Sequence, residues 1–87
     1  MPMLVVQQTV GDYSKWRAGF DKAGPLRDKA GIYNARVFRD ADSPDEVLVL
    51  SETQDLAKAR TALTGPELQK AMQAAGVIGP PKVHVIL

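Results

Sequence analysis

Ile32-Tyr-Asn-Ala-Arg-Val-Phe-Arg39 and Glu46-Val-Leu-Val-Leu-Ser-Glu-Thr53, joined by Asp40-Ala-Asp-Ser-Pro-Asp45, decide how this chain folds. Both flanking runs are rich in β-branched, aromatic and aliphatic residues, and the segment between them is turn chemistry. They read as a hairpin in the middle of the sequence. On its N-terminal side Tyr13, Trp16, Phe20, Ala23, Leu26 and Ala30 recur every three or four residues, as one stripe of a helix does. A strand-like run, Met3–Val10, precedes them. On its C-terminal side Leu56, Ala59 and Leu63, then Leu68, Ala71, Met72 and Ala75, form further helical stripes ahead of a last strand at Lys82–Leu87.

Strand, helix, strand, strand, helix, strand is the split βαβ order of the ferredoxin-like α+β fold. It implies a four-stranded antiparallel sheet with all helices on one face. At 87 residues the chain makes one domain, 1–87, and buries only about 60–65% of its unfolded surface. Local signals fit that order. Asp12 and Asp55 are expected N-caps, and Gly31 and Gly76 mark helix ends. Gly24-Pro25 predicts a break into two short helices, because proline removes a backbone donor and clashes with the preceding turn. Thr64-Gly-Pro-Glu67 reads as a capping box, and Gly79-Pro-Pro81 as a stiff lead into the last strand.

Composition excludes several classes of function. With 11 basic and 10 acidic residues, net +1, the chain has no electrostatic footprint for nucleic acid or an anionic membrane. It contains no cysteine, so disulfides, thiolate metal sites and thiol nucleophiles are out. Asp40, Asp42 and Asp45 lack the glycine and closing glutamate of a calcium loop. No metal and no cofactor is expected. Neither a membrane span nor a leader pattern is present, and the expected location is cytoplasmic.

The strand faces differ, and that difference points to function. In the second strand, alternation sets Tyr33, Ala35 and Val37 against Ile32, Asn34, Arg36 and Phe38. In the third, Val47, Val49 and Ser51 oppose Glu46, Leu48, Leu50 and Glu52. In the last, Val83, Val85 and Leu87 oppose Lys82, His84 and Ile86. One face of the sheet is smooth and apolar, suited to lie under helices. The other mixes Asn34, Arg36, Glu52 and His84 with Phe38, Leu48, Leu50 and Ile86, too apolar for a solvated face. The first strand cannot be phased, because Gln7 and Gln8 are both polar.

Asp12-Tyr-Ser-Lys-Trp16 with Phe20, Ala35-Arg-Val-Phe-Arg-Asp40, Glu46-Val-Leu-Val-Leu50 and the Pro66-Glu-Leu…Ala71-Met72 helix together resemble the dimeric α+β barrel superfamily, which contains the antibiotic-biosynthesis-monooxygenase-like proteins. The resemblance covers nearly the whole chain. It implies a homodimer in which two sheets meet face to face, with a small-molecule cleft beside the sheet. It also implies cofactor-free, monooxygenase-like chemistry on an aromatic or polyketide-like compound, with non-catalytic ligand binding or an interaction module as the alternative.

Candidate site residues follow from their chemistry. His84, the only histidine, is the candidate general base. Arg36 and Asn34 could fix a carboxylate or phenolate, or pair with Glu52 across subunits. Phe38 and Trp16 would wall a pocket. The Asn, Trp and His constellation of haem-degrading relatives does not match, since Trp16 lies in the first helix and His84 in a strand. A minor alternative is a tautomerase with Pro2 as its N-terminal base after removal of Met1. The expected partners are a second copy of the chain and a small molecule.

Overall fold

The structure, a computed structural model, describes residues 2–87. Its elements are β1 (Met3–Val10), α1 (Tyr13–Lys22), α2 (Gly24–Lys29), β2 (Ile32–Arg39), β3 (Glu46–Thr53), α3 (Leu56–Leu63), α4 (Pro66–Ala74) and β4 (Val77–Ile86). The sheet order is β2-β3-β1-β4 and every pairing is antiparallel. This is the ferredoxin-like α+β fold that the hairpin and its flanks imply. Each expected helical layer is two helices.

β1 resolves its own ambiguity. Leu4, Val6, Gln8 and Val10 are buried under the helices, while Met3, Val5, Gln7 and Thr9 lie on the open face. Val47, Val49, Ser51 and Thr53 of β3 share the buried side. Against them pack Trp16 from α1, Ala59 and Leu63 from α3, and Leu68 from α4. Trp16 is 2% exposed and anchors this layer. An aromatic of this size contributes several kcal/mol through burial alone.

The helix boundaries follow their local chemistry. Asp12 accepts from the Lys15 N–H at 3.2 Å, and Asp55 from the Lys58 N–H at 3.0 Å. Those two side chains satisfy donors that α1 and α3 would otherwise leave open. Gly24-Pro25 does break the helix, with Ala23 closing α1 and Pro25 inside the first turn of α2. Gly31 and Gly76 take positive φ values of 73° and 91° where the chain leaves its helices. In the hairpin loop Asp40 Oδ2 accepts from the N–H groups of Asp42 and Ser43, which makes that aspartate a turn former.

Three local expectations are corrected. In β2, Ile32 pairs with Thr53 and Tyr33 with Glu52, but pairing resumes only at Arg36 with Leu50. The extra residue is a bulge at Asn34, whose φ is 53°, and it reverses the strand's phase. Ile32 therefore goes under the helices and Tyr33 lies on the face of Glu52. The last strand starts at Val77, earlier than expected, and Gly79-Pro80-Pro81 is an irregularity within it. β4 is an edge strand, so its prolines remove no ladder bond from a neighbour beyond. Finally, Thr64 caps the end of α3 rather than the start of α4. Its hydroxyl donates back to the Arg60 carbonyl at 3.0 Å, and Gly65 begins α4 with no side-chain cap.

Gly19 of α1 packs against Ala75 at the end of α4. A Cβ at that position would stand 2.7 Å from Ala75 Cβ and 3.3 Å from Ala75 Cα. Glycine here is a packing requirement. It lets two helices close over the same patch of sheet.

Candidate functional site

Between the sheet and the four helices lies a cavity of about 60 Å³. Leu4 and Val6 of β1 and Val49 of β3 make its floor, Trp16 and Phe20 of α1 one wall, and Leu68 and Met72 of α4 another. Three further side chains give it polarity: Gln8, Ser51 and Arg27. Gln8 is 6% exposed and its Oε1 has no hydrogen-bond partner among the described residues. An orphaned buried acceptor costs about 1–3 kcal/mol, so such a group calls for an explanation.

Arg27 is placed by the break at Gly24-Pro25, which turns α2 so that its side chain reaches back to α1. Its Nη1 donates to the Phe20 carbonyl at 2.7 Å, and its guanidinium lies 3.7 Å from the centroid of the Phe20 ring. Phe20 is stacked on Trp16 at 5.0 Å, and Trp16 meets Tyr13 at 5.8 Å. At the far end Arg39 lies 3.9 Å over Tyr13 and donates to the Pro44 carbonyl. The result is a row of three aromatic rings capped by an arginine at each end. Burial lowers the pKa of Arg27 from its ordinary value; Asp21 and Asp28 oppose that effect and Arg17 adds to it.

The residues singled out from sequence fall into two places. Trp16 lines the cavity. His84, Arg36, Phe38 and Glu52 lie on the open face, with Asn34 at the bulge beside them. The registers arrange that face in rows: His84–Val5–Leu50–Arg36, Lys82–Gln7–Leu48–Phe38 and Ile86–Met3–Glu52–Tyr33. Asn34 Nδ2 donates to Glu52 Oε2 at 2.8 Å, a bond within one chain where a pairing across subunits was the expectation. His84 and Arg36 share a row but sit on opposite edge strands. Three strand spacings, roughly 14 Å, separate their backbones. Phe38 and Ile86 are about half exposed on this face, at 48% and 49%.

Pro2 lies outside the cavity walls, and its carbonyl accepts from the Thr53 N–H at 3.3 Å. Met1, whose removal the tautomerase alternative requires, is outside the described residues. Sequence reasoning missed Gln8 and Arg27. Gln8 is hidden by its polar neighbour Gln7. Arg27 is one more charge in a helix that carries many, and only the proline break signals that it is redirected. No helix among the described residues is long and apolar enough to cross a membrane.

No protein-family model matches the sequence, and no curated protein matches it. Solved structures do. A candidate antibiotic biosynthesis monooxygenase from Bordetella bronchiseptica superposes with a TM-score of 0.81 at 16% identity, covering 99% of this chain and 94% of its own. SnoaB, a cofactor-independent oxygenase from Streptomyces nogalater, gives 0.76 at 17% identity, covering 99% and 90%. A candidate antibiotic biosynthesis monooxygenase from Caulobacter crescentus gives 0.74 at 12% identity, covering 98% and 86%. The chain has the fold of the antibiotic-biosynthesis-monooxygenase-like proteins, as its sequence resemblance implied.

Proposed function

We propose that this protein binds a small organic molecule in the cavity between sheet and helices, and does so as a homodimer whose open sheet faces meet. The observation that carries the first part is Gln8: a buried amide with an orphaned oxygen in an otherwise apolar cavity is an anchor for a ligand hydroxyl or N–H. The second part rests on Phe38, Ile86 and Leu48, which leave the open face too apolar for water.

Cofactor-free oxygenation is the reaction that the structural neighbours suggest, and the cavity limits how it could proceed. Gln8 and Ser51 do not take up a proton at neutral pH, and Arg27 is a cation. The walls thus hold no general base. A substrate would have to enter as an anion stabilised by Arg27 and react with oxygen directly, the protein contributing position. Size is the second limit. An engineered cavity that accepts benzene measures about 150 Å³, well above the 60 Å³ found here. An aromatic ring fits only after the flexible Met72 side chain swings aside.

The absence of a base in the cavity favours a second reading, binding without catalysis. Oxygen uptake with anthrone, which turns over to anthraquinone and water, separates the two. Catalysis predicts uptake that rises in Met72→Ala, where the cavity is larger. A protein that quenches Trp16 fluorescence on adding anthrone but consumes no oxygen is a binder. No response in either measurement, in wild type and in Met72→Ala, contradicts oxygenation of a polycyclic substrate and leaves the cavity to compact ligands.

A further inference from the structure

The walls of the cavity carry one formal charge, and that charge has no ion-pair partner among the described residues. Arg27 makes no salt bridge; among the described residues the one such bridge joins Arg17 and Asp21. Asp21 and Asp28 act on Arg27 only at longer range. Its half-buried guanidinium is oriented by the Phe20 carbonyl and ring, and this leaves most of its donors unengaged. A partly desolvated, oriented guanidinium is a receptor for an anionic oxygen, because charge-assisted hydrogen bonds strengthen where water is excluded. Beneath it lies a void of about 60 Å³ with mainly hydrocarbon walls.

Resting on the reading of this cavity as the ligand site, we propose that Arg27 makes it selective for a compact apolar anion. A short branched hydrocarbon body occupies the cavity, and its anionic oxygen group meets the Arg27 guanidinium. A neutral molecule of the same shape fills the same void but offers the guanidinium a carbonyl acceptor without a charge. Arg27 is therefore the residue that sets specificity.

Isovalerate and isovaleramide test this, since they share a body and differ in charge. Binding to the full chain is followed at constant ionic strength by Trp16, the only tryptophan, through its fluorescence and its indole N–H resonance. Isovalerate is expected to bind at least about tenfold more tightly than isovaleramide. Arg27→Met, which keeps an apolar stem over Phe20, removes that preference, because isovalerate loses an ion pair and isovaleramide only a carbonyl hydrogen bond. Arg27→Lys retains the preference in part. Equal affinity of the two compounds for wild type overturns the selectivity and leaves the cavity as a ligand site. A preference that survives in Arg27→Met overturns the assignment to Arg27. Binding of neither compound, with Trp16 unmoved, overturns both the selectivity and the cavity reading beneath it.

Discussion

Arg27 lies 3.7 Å above the centroid of the Phe20 ring and donates from Nη1 to the Phe20 carbonyl at 2.7 Å. The two residues belong to different helices, and the pair spans the break that Gly24-Pro25 puts between them. A continuous helix would place positions seven apart about two turns along one face. Here the break folds the later residue back, so the guanidinium covers the ring and reaches the cavity that the ring walls. One sequence signal, a glycine-proline pair, thus determines both a helix boundary and the chemistry of a site.

Gln8 is kept at a cost to stability. Gln8→Leu should stabilise the unliganded protein by about 1 kcal/mol, since it removes an orphaned buried amide and adds apolar contact. The same change should weaken ligands that carry a hydroxyl or N–H. Urea unfolding gives the first quantity and Trp16 titration the second. A loss of stability would show that the amide is satisfied in solution.

Gly19→Ala should destabilise the fold by about 1–3 kcal/mol, because the new methyl would stand 2.7 Å from Ala75 Cβ. Gly19→Ala combined with Ala75→Gly should recover part of that loss. Thermal unfolding of the single and double variants reads the coupling. Additive effects would mean that the two helices do not meet at this pair.

Asn34 holds the bulge of β2 at a φ of 53° and binds Glu52. Asn34→Gly should change stability by less than about 1 kcal/mol, as glycine accepts the left-handed conformation. Asn34→Val should cost about 1–3 kcal/mol, since a β-branched residue resists it. Equal costs for the two, measured by chemical denaturation, would remove the backbone from the explanation.

Phe38 is the probe for the open face. Phe38→Glu should convert a dimer into a folded monomer, because a carboxylate would replace an aromatic group on the face where two sheets are proposed to meet. Light scattering gives the mass and circular dichroism the fold. A wild-type protein that is monomeric at every concentration would refute the face-to-face arrangement.

Much of the fold was legible before the structure, for identifiable reasons. The hairpin at Asp40–Asp45, the caps at Asp12 and Asp55 and the break at Gly24-Pro25 are local devices, and local chemistry decides them. Simple alternation puts Tyr33 and Ile32 on the wrong faces because one bulged residue, Asn34, inverts everything N-terminal to it in the strand. Thr64 satisfies the helix behind it instead of the one ahead, a choice set by which carbonyls are open. The site was less legible. Trp16 could be placed near a pocket by its stripe, but Gln8 acquires meaning only from the register of β1 with β3 and β4. Arg36 and His84 are both candidates from sequence, and sheet order puts them at opposite edges.

The most direct measurement of the central claim is a two-dimensional amide and indole NMR titration of the uniformly labelled protein with isovalerate. The account predicts shifts concentrated at the Gln8 side-chain amide, the Trp16 indole N–H and the backbone around Phe20 and Arg27, with Arg36 and His84 still. Shifts centred on Arg36, Phe38 or His84, with Gln8 and Trp16 unmoved, would place the ligand on the open face of the sheet and contradict it.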